Sequence, residues 1–132
     1  MSQGQRKVHV VPSSTLRTSG GQTNGMARQN AITGLSSNLC ASVMLAAPHS
    51  ASDVHHHGPQ DTVVYAVSGR GGAIVSEEGK KRQEVKPGDF ALIPAWTEHR
   101  EVNDGDEEVK WVITRAVGSG PVVQNLEGWG TS

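Results

Sequence analysis

From residue 39 onward the chain repeats one pattern: a short run rich in Val, Ile, Leu and Ala, then a stop made of Gly, Pro, Asn or Asp. The runs read LCASVMLAAP, TVVYAVSG, GAIVS, KRQEVK, FALIP and EVKWVITR, with turn signals at Glu78-Gly79, Lys86-Pro87-Gly88-Asp89 and Asn103-Asp104-Gly105-Asp106. None carries a helical period of useful length. Short strands at near-regular spacing predict an all-β, antiparallel sandwich or barrel, and closing the barrel would remove most exposed edges. Residues 1–35 differ, being rich in Ser, Thr, Gly, Gln and Asn, with only VHVV at 8–11 resembling a strand. They read as a polar arm that either hangs free or adds an edge strand to the barrel or to a partner. Residues 36–117 read as the barrel and 118–132 as a tail packing on it, with one possible strand at 122–126.

Composition narrows the class. With 132 residues the chain fits one domain and is too short for two independent cores. Hydrophobic residues are 35% and charged residues 19%, polar for a globular protein yet not charged enough for disorder. The 16 glycines and 6 prolines agree with many turns. The net charge is −1, with Lys and Arg scattered among acids, which argues against a nucleic-acid partner. Cys40 sits inside an apolar run and reads as a small buried hydrophobe. No stretch approaches the length and apolarity of a membrane span or an export leader, so the expected setting is cytoplasmic.

Candidate chemistry gathers at histidine. Four of the six histidines fall between 49 and 57. Side chains alternate faces along an extended chain, so His55 and His57 share one side and His56 takes the other. Two imidazoles on one face can share a metal, although a polar surface loop would look the same.

The surrounding residues decide between these. The segment VHHHGPQDTVVYAVSGRG resembles the first motif of the cupin family: H-x-H, three or four residues, Glu, six residues, Gly. His55, His57 and Gly69 fit it. Some thirty residues on, GDFALIPAWTEHREVN resembles the second motif, G-x5-P-x-G-x2-H-x3-N, with Gly88, Pro94, His99 and Asn103 in place. The resemblance covers roughly residues 39–115. It implies an antiparallel double-stranded β-helix, the cupin or jelly-roll barrel, as a single domain, holding one divalent metal ion on His55, His57 and His99. Imidazole suits Fe, Mn, Ni, Cu or Zn, and positions left open would serve substrate or water.

Three positions depart from the family pattern. The motif glutamate is replaced, according to register, by Thr62 or by Asp61, the latter being the stronger metal ligand and Gln60 a weaker one. If Thr62 faces the barrel, alternation turns Asp61 outward. Trp96 stands where the second motif has glycine and is expected either in the core or as a wall of the substrate pocket, where Thr62 would join it. Glu101, two residues beyond His99, shares its strand face; it either escapes to solvent through a bulge or an ion pair with Arg100 or Arg115, or acts as a general acid or base. His49 reads as a solvated rim group, and 68–71 as a β-turn and not a phosphate loop.

Loss of the glutamate together with Pro94-x-Trp96-x2-His99 resembles the gentisate-type ring-cleaving dioxygenases, which implies a three-histidine Fe(II) site acting with dioxygen on an aromatic diol or dicarbonyl-like substrate. A second expectation is non-redox chemistry, as an isomerase, decarboxylase, dehydratase or cyclase in which Glu101 moves a proton. A third is a metal-dependent ligand-binding module without turnover. In each case the partner is a small molecule. A homodimer is expected, since cupin-like barrels commonly pair.

Overall fold

A computed structural model describes residues 7–19, 25–116 and 120–131. Each of the six runs from LCASVMLAAP to EVKWVITR forms a strand. The elements are β1 (Thr18–Ser19), β2 (Met26–Ile32), β3 (Leu39–Ala46), β4 (Ser50–Ala51), β5 (His55–His56), β6 (Thr62–Ser68), β7 (Gly72–Ser76), β8 (Lys81–Glu84), β9 (Phe90–Ile93), β10 (Arg100–Asn103), β11 (Val109–Ala116) and β12 (Gln124–Asn125). They pair antiparallel into a six-stranded sheet ordered β1-β2-β3-β11-β6-β9, a four-stranded sheet ordered β4-β10-β7-β8, and the short pair β12-β5.

Alternation places the core. β6 is buried at Thr62, Val64 and Ala66 and exposed at Val63, Tyr65 and Val67, the period of a strand with one face inward. Its inner residues meet Met26, Met44, Trp111 and Ile113 from the same sheet and Ile74 from the other, and these form one apolar cluster between the layers. The outer face of β6 and β9 stays apolar in solvent: Phe90 is 72% and Leu92 65% exposed, and the Tyr65 and Phe90 rings lie 4.7 Å apart.

The β6–β7 turn depends on glycine. Gly69 has φ +90°, and an added Cβ would overlap the carbonyl oxygen of Glu108, so a side chain meets both backbone strain and backbone atoms there. Asn103 ties the opposite turn, its Nδ2 donating to the carbonyls of Ala46, Ala47 and Glu107 while its Oδ1 accepts from Gly105 N–H.

The arm and tail carry more structure than their composition announces. Within residues 1–35, β2 pairs with β3 from Met26↔Ala46 to Ile32↔Ala41, with a bulge near Asn30. It is therefore a strand of the barrel wall. VHVV carries no strand, and Val8 and Val10 are almost fully exposed. Residues 1–6 and 20–24 of the arm, and 117–119 at the expected barrel–tail junction, lie outside the described residues. Among the described residues of the tail, only Gln124–Asn125 forms a strand, paired against His56 and His55.

Candidate metal centre

The histidine segments are 44 residues apart in sequence and are laced together by backbone. His55 N–H donates to His99 O and His99 N–H donates to His55 O, both at 2.9 Å. Alternation then sets the side chains: His55 and His57 turn inward with centroids 5.1 Å apart, and His56 turns away, its Nδ1 accepting from Gly58 N–H. The His99 ring lies 4.4 Å from His55 and 4.7 Å from His57, centroid to centroid. Glu101 joins from β10, with Oε2 at 3.0 Å from His55 Nε2 and Oε1 at 3.5 Å from His99 Nε2. One ligand atom from each of His55, His57, His99 and Glu101 falls within 4.8 Å of the others, and all four residues are buried.

The surroundings fix which nitrogen faces inward. Nδ1 of His55 lies 2.8 Å from Asp53 O and Nδ1 of His99 lies 2.9 Å from Thr97 O. A carbonyl only accepts, so these nitrogens carry the proton and Nε2 offers a lone pair, the arrangement usual for a ligating histidine whose other nitrogen is held by the backbone. A lone pair at 3.0 Å from a carboxylate oxygen needs a cation between them, either a second proton or a metal ion. Nε2 of His57 and of His99 are 3.0 Å apart, which is the separation of two nitrogens bound at right angles with bonds of about 2.1 Å. Three imidazoles and one carboxylate converging in this way can hold one metal ion.

Electrostatics match that geometry. Burial, aided by the charge of Arg115, pushes His57 down to about 2, so its ring is neutral and suited to ligation. Burial would lower His55 as well, but the Glu101 carboxylate outweighs it and the net shift is upward. Burial would raise Glu101; the facing His55 and His99 more than offset this and hold the carboxyl well below its ordinary range. Ser52 steadies the carboxylate, its Oγ donating to Glu101 Oε2 and accepting from Glu101 N–H, both at 3.0 Å.

A cavity of about 190 Å³ opens beside the cluster, reaching His55 and Glu101 and walled by Arg28 of β2, Arg115 of β11 and the tail residue Val123. The tail is held over it by polar anchors. Gln60 donates from Nε2 to Gly120 O and accepts at Oε1 from Val122 N–H, and Arg115 Nη1 donates to Val122 O. A second recess, of about 480 Å³, lies between β7, β8 and β9 and touches only His99 of the four. The first is the better chamber, because it presents both the cluster and buried charge.

The structure thus brings together His55, His57, His99 and Glu101. It leaves Asp61 outside: that residue is exposed and its Oδ1 accepts from Ala95 N–H, while Thr62 turns inward, fully buried. Gln60 serves the tail. Trp96 lies outside the cluster and the cavity, 64% exposed, with its ring 5.4 Å from His56. Its φ of +63° explains why a glycine suits that position. Glu101 does not escape to solvent, and Arg100 instead donates to Ser52 O. Sequence reading missed Ser52, Arg28 and the cavity role of Arg115. Period-2 alternation inward from Arg115 was the available signal for the last; nothing local marked the other two.

A cupin domain matches residues 42–115. The chain belongs to the cupin family. Over 78 residues it is 33% identical to gentisate 1,2 dioxygenase 1 of Aquipseudomonas alcaligenes, a match covering 59% of this chain and 22% of that protein. Among solved structures, it is similar to the polyketide cyclase RemF from Streptomyces resistomycificus (TM-score 0.76, 14% identity, 95% of this chain and 89% of the other). It also resembles KdgF from a Halomonas species (0.70, 16%, 83% and 94%) and an RmlC-like cupin from Shewanella frigidimarina (0.66, 19%, 86% and 94%). At these identities the structural likenesses establish the fold.

Proposed function

We propose that this cupin is a metal-dependent enzyme in which His55, His57 and His99 hold one divalent transition metal ion, Fe(II) ahead of Mn, Ni, Zn or Cu. The reaction proposed is dioxygen-dependent cleavage of an aromatic diol or dicarbonyl-like small molecule. The observation that carries this reading is the convergence of three buried imidazoles beside a cavity that reaches His55 and Glu101; the partial identity to a gentisate dioxygenase supports the chemistry. A bound ion would supply Lewis acidity and, as iron, electron transfer between substrate and dioxygen. The chain's own residues do the rest. His55 and His99 are oriented by the carbonyls of Asp53 and Thr97, Ser52 fixes Glu101, and the tail limits entry of water.

A second reading is favoured by Glu101 itself. A buried carboxylate on the cavity wall is placed to take or return a proton, which serves an isomerase, lyase or cyclase as well as an oxygenase. Purified protein should contain about one metal ion per chain by elemental analysis, and His57→Ala/His99→Ala should contain almost none. Stoichiometric metal in that variant would refute the ligand assignment. Iron with dioxygen uptake supports the first reading; zinc, manganese or nickel with anaerobic turnover moves the assignment to the second.

We also propose a homodimer formed through the apolar outer face of β6 and β9, where β9 is the sheet's last strand. A cytoplasmic setting is proposed on the free, buried Cys40; among the described residues no helix is long and apolar enough to cross a membrane.

A further inference from the structure

We infer that VHVV, residues 8–11 of the arm, docks as an added strand on the β9 edge of a second copy of this chain, where it closes the recess beside His99. The inference rests on the proposed homodimer and names the segment that crosses between its two chains.

The case begins with an unguarded edge. Among the described residues β9 is the last strand of the six-stranded sheet and β8 the last of the four-stranded one, so each leaves alternate N–H and C=O groups without a neighbouring strand. Soluble proteins guard such edges with charge or proline. β8 is guarded: it reads Lys81-Arg82-Gln83-Glu84, with every residue exposed. β9 is not. It reads Phe90-Ala91-Leu92-Ile93, with no charge, and Phe90 and Leu92 stand in solvent. Between these two edges the recess of about 480 Å³ runs in to His99.

The same chain carries a segment that matches this edge. VHVV is made for a strand, yet it pairs with none among the described residues, and Val8 is 91% and Val10 82% exposed. Its length equals that of β9, and Pro12, which has no N–H, ends the pairing there. Laid beside β9 with Val8 and Val10 next to Phe90 and Leu92, the segment extends the apolar outer face. Alternation then turns Lys7, His9 and Val11 inward, onto a recess walled by Ile74, Val85 and Ile93 and carrying the carboxylates of Glu84 and Asp89. Apolar side chains meet apolar walls, and Lys7 meets opposite charge.

The strand comes from another copy because of where the arm is attached. It runs into β1, the first strand in the sheet order, whereas β9 is the last. The seven steps from Val11 to Thr18 span at most about 23 Å when fully extended, and the turn at Ser13–Thr15 shortens them. Five strand spacings of about 4.8 Å each lie between the two edges. Within one chain the arm and the β9 edge thus both remain in solvent. A two-fold pair lets each arm serve the other's edge.

Paramagnetic broadening between chains tests this directly. A chain of natural isotope abundance carries a nitroxide on Val8→Cys; Cys40, being buried, stays unlabelled. It is mixed with 15N-labelled wild-type chain at a concentration where light scattering gives the mass of two chains. Amides of residues 90–93 in the 15N chain should lose most of their intensity and recover it when the nitroxide is reduced. Val8→Asp/Val10→Asp, which changes only side chains that one chain leaves in solvent, should raise hydrogen exchange within residues 90–93 by about 10-fold or more. A two-chain mass without broadening of 90–93 would overturn the docking of the arm and leave the homodimer standing. Unchanged exchange in Val8→Asp/Val10→Asp would also overturn it. Broadening found only when one chain carries both labels would place the arm on its own edge and overturn the second copy as its source. A one-chain mass at every concentration would overturn the homodimer and this inference together.

Discussion

At the scale of single residues, Glu101 joins stability to chemistry. Burying a carboxylate is unfavourable unless it is paired and hydrogen-bonded, and here Ser52 and two imidazoles supply both. Glu101→Gln keeps the size and removes the charge and the basic oxygen. Metal content should survive and turnover should fall about 10²-fold if the carboxylate is a general base; loss of metal by elemental analysis would make it a ligand. Much of this site was legible beforehand, because H-x-H on a strand, and a histidine two residues before a glutamate, fix who faces whom through alternation alone. What sequence could not supply was which residue takes the inward position of the missing motif glutamate. Asp61 and Thr62 compete within one register, and only the paired strands β6 and β9, with Thr62↔Ile93, turn Thr62 inward and leave Asp61 to cap the Ala95 N–H.

At the scale of elements, β2 shows why the reading of residues 1–35 stopped short. A strand that packs on a dry core advertises itself by alternating apolar residues, but this one puts Arg28 into a polar cavity and holds Asn30 Oδ1 against Ser42 Oγ at 3.0 Å. The face that would have carried the signal lines the cavity and bears polar residues, so the signal is absent. The tail was hidden for a related reason. Its two-residue strand is shorter than any pattern can mark, and its attachment runs through Gln60, which is 1% exposed with both amide atoms engaged. Gln60→Ala removes two anchors of about 1 kcal/mol each. The amide of Val122, which donates to Gln60 Oε1, should then exchange with deuterium faster by an order of magnitude or more, while amides of β11 keep their protection. Equal protection of Val122 in the variant would show that β12 pairing alone holds the tail.

At the scale of the whole molecule, the barrel has an interior that carries the metal cluster and, on β6 and β9, an outer face that remains apolar. Light scattering should give a mass twice the 14.0 kDa of one chain, and Phe90→Asp/Leu92→Asp should return it to one chain's mass by placing charge in a desolvated interface. A wild-type mass of one chain at every concentration would refute the pairing. The site would be untouched by that double substitution, since Ala91 and Ile93 carry the inward face of β9. The same division runs along β6, where Thr62, Val64 and Ala66 look in and Val63, Tyr65 and Val67 look out. Under the proposed pairing and activity, one strand encodes two traits in interleaved letters. Substitutions at odd and at even positions share no partners, so their effects should add with little coupling, and assembly can drift through one set of positions while catalysis is inherited unchanged through the other.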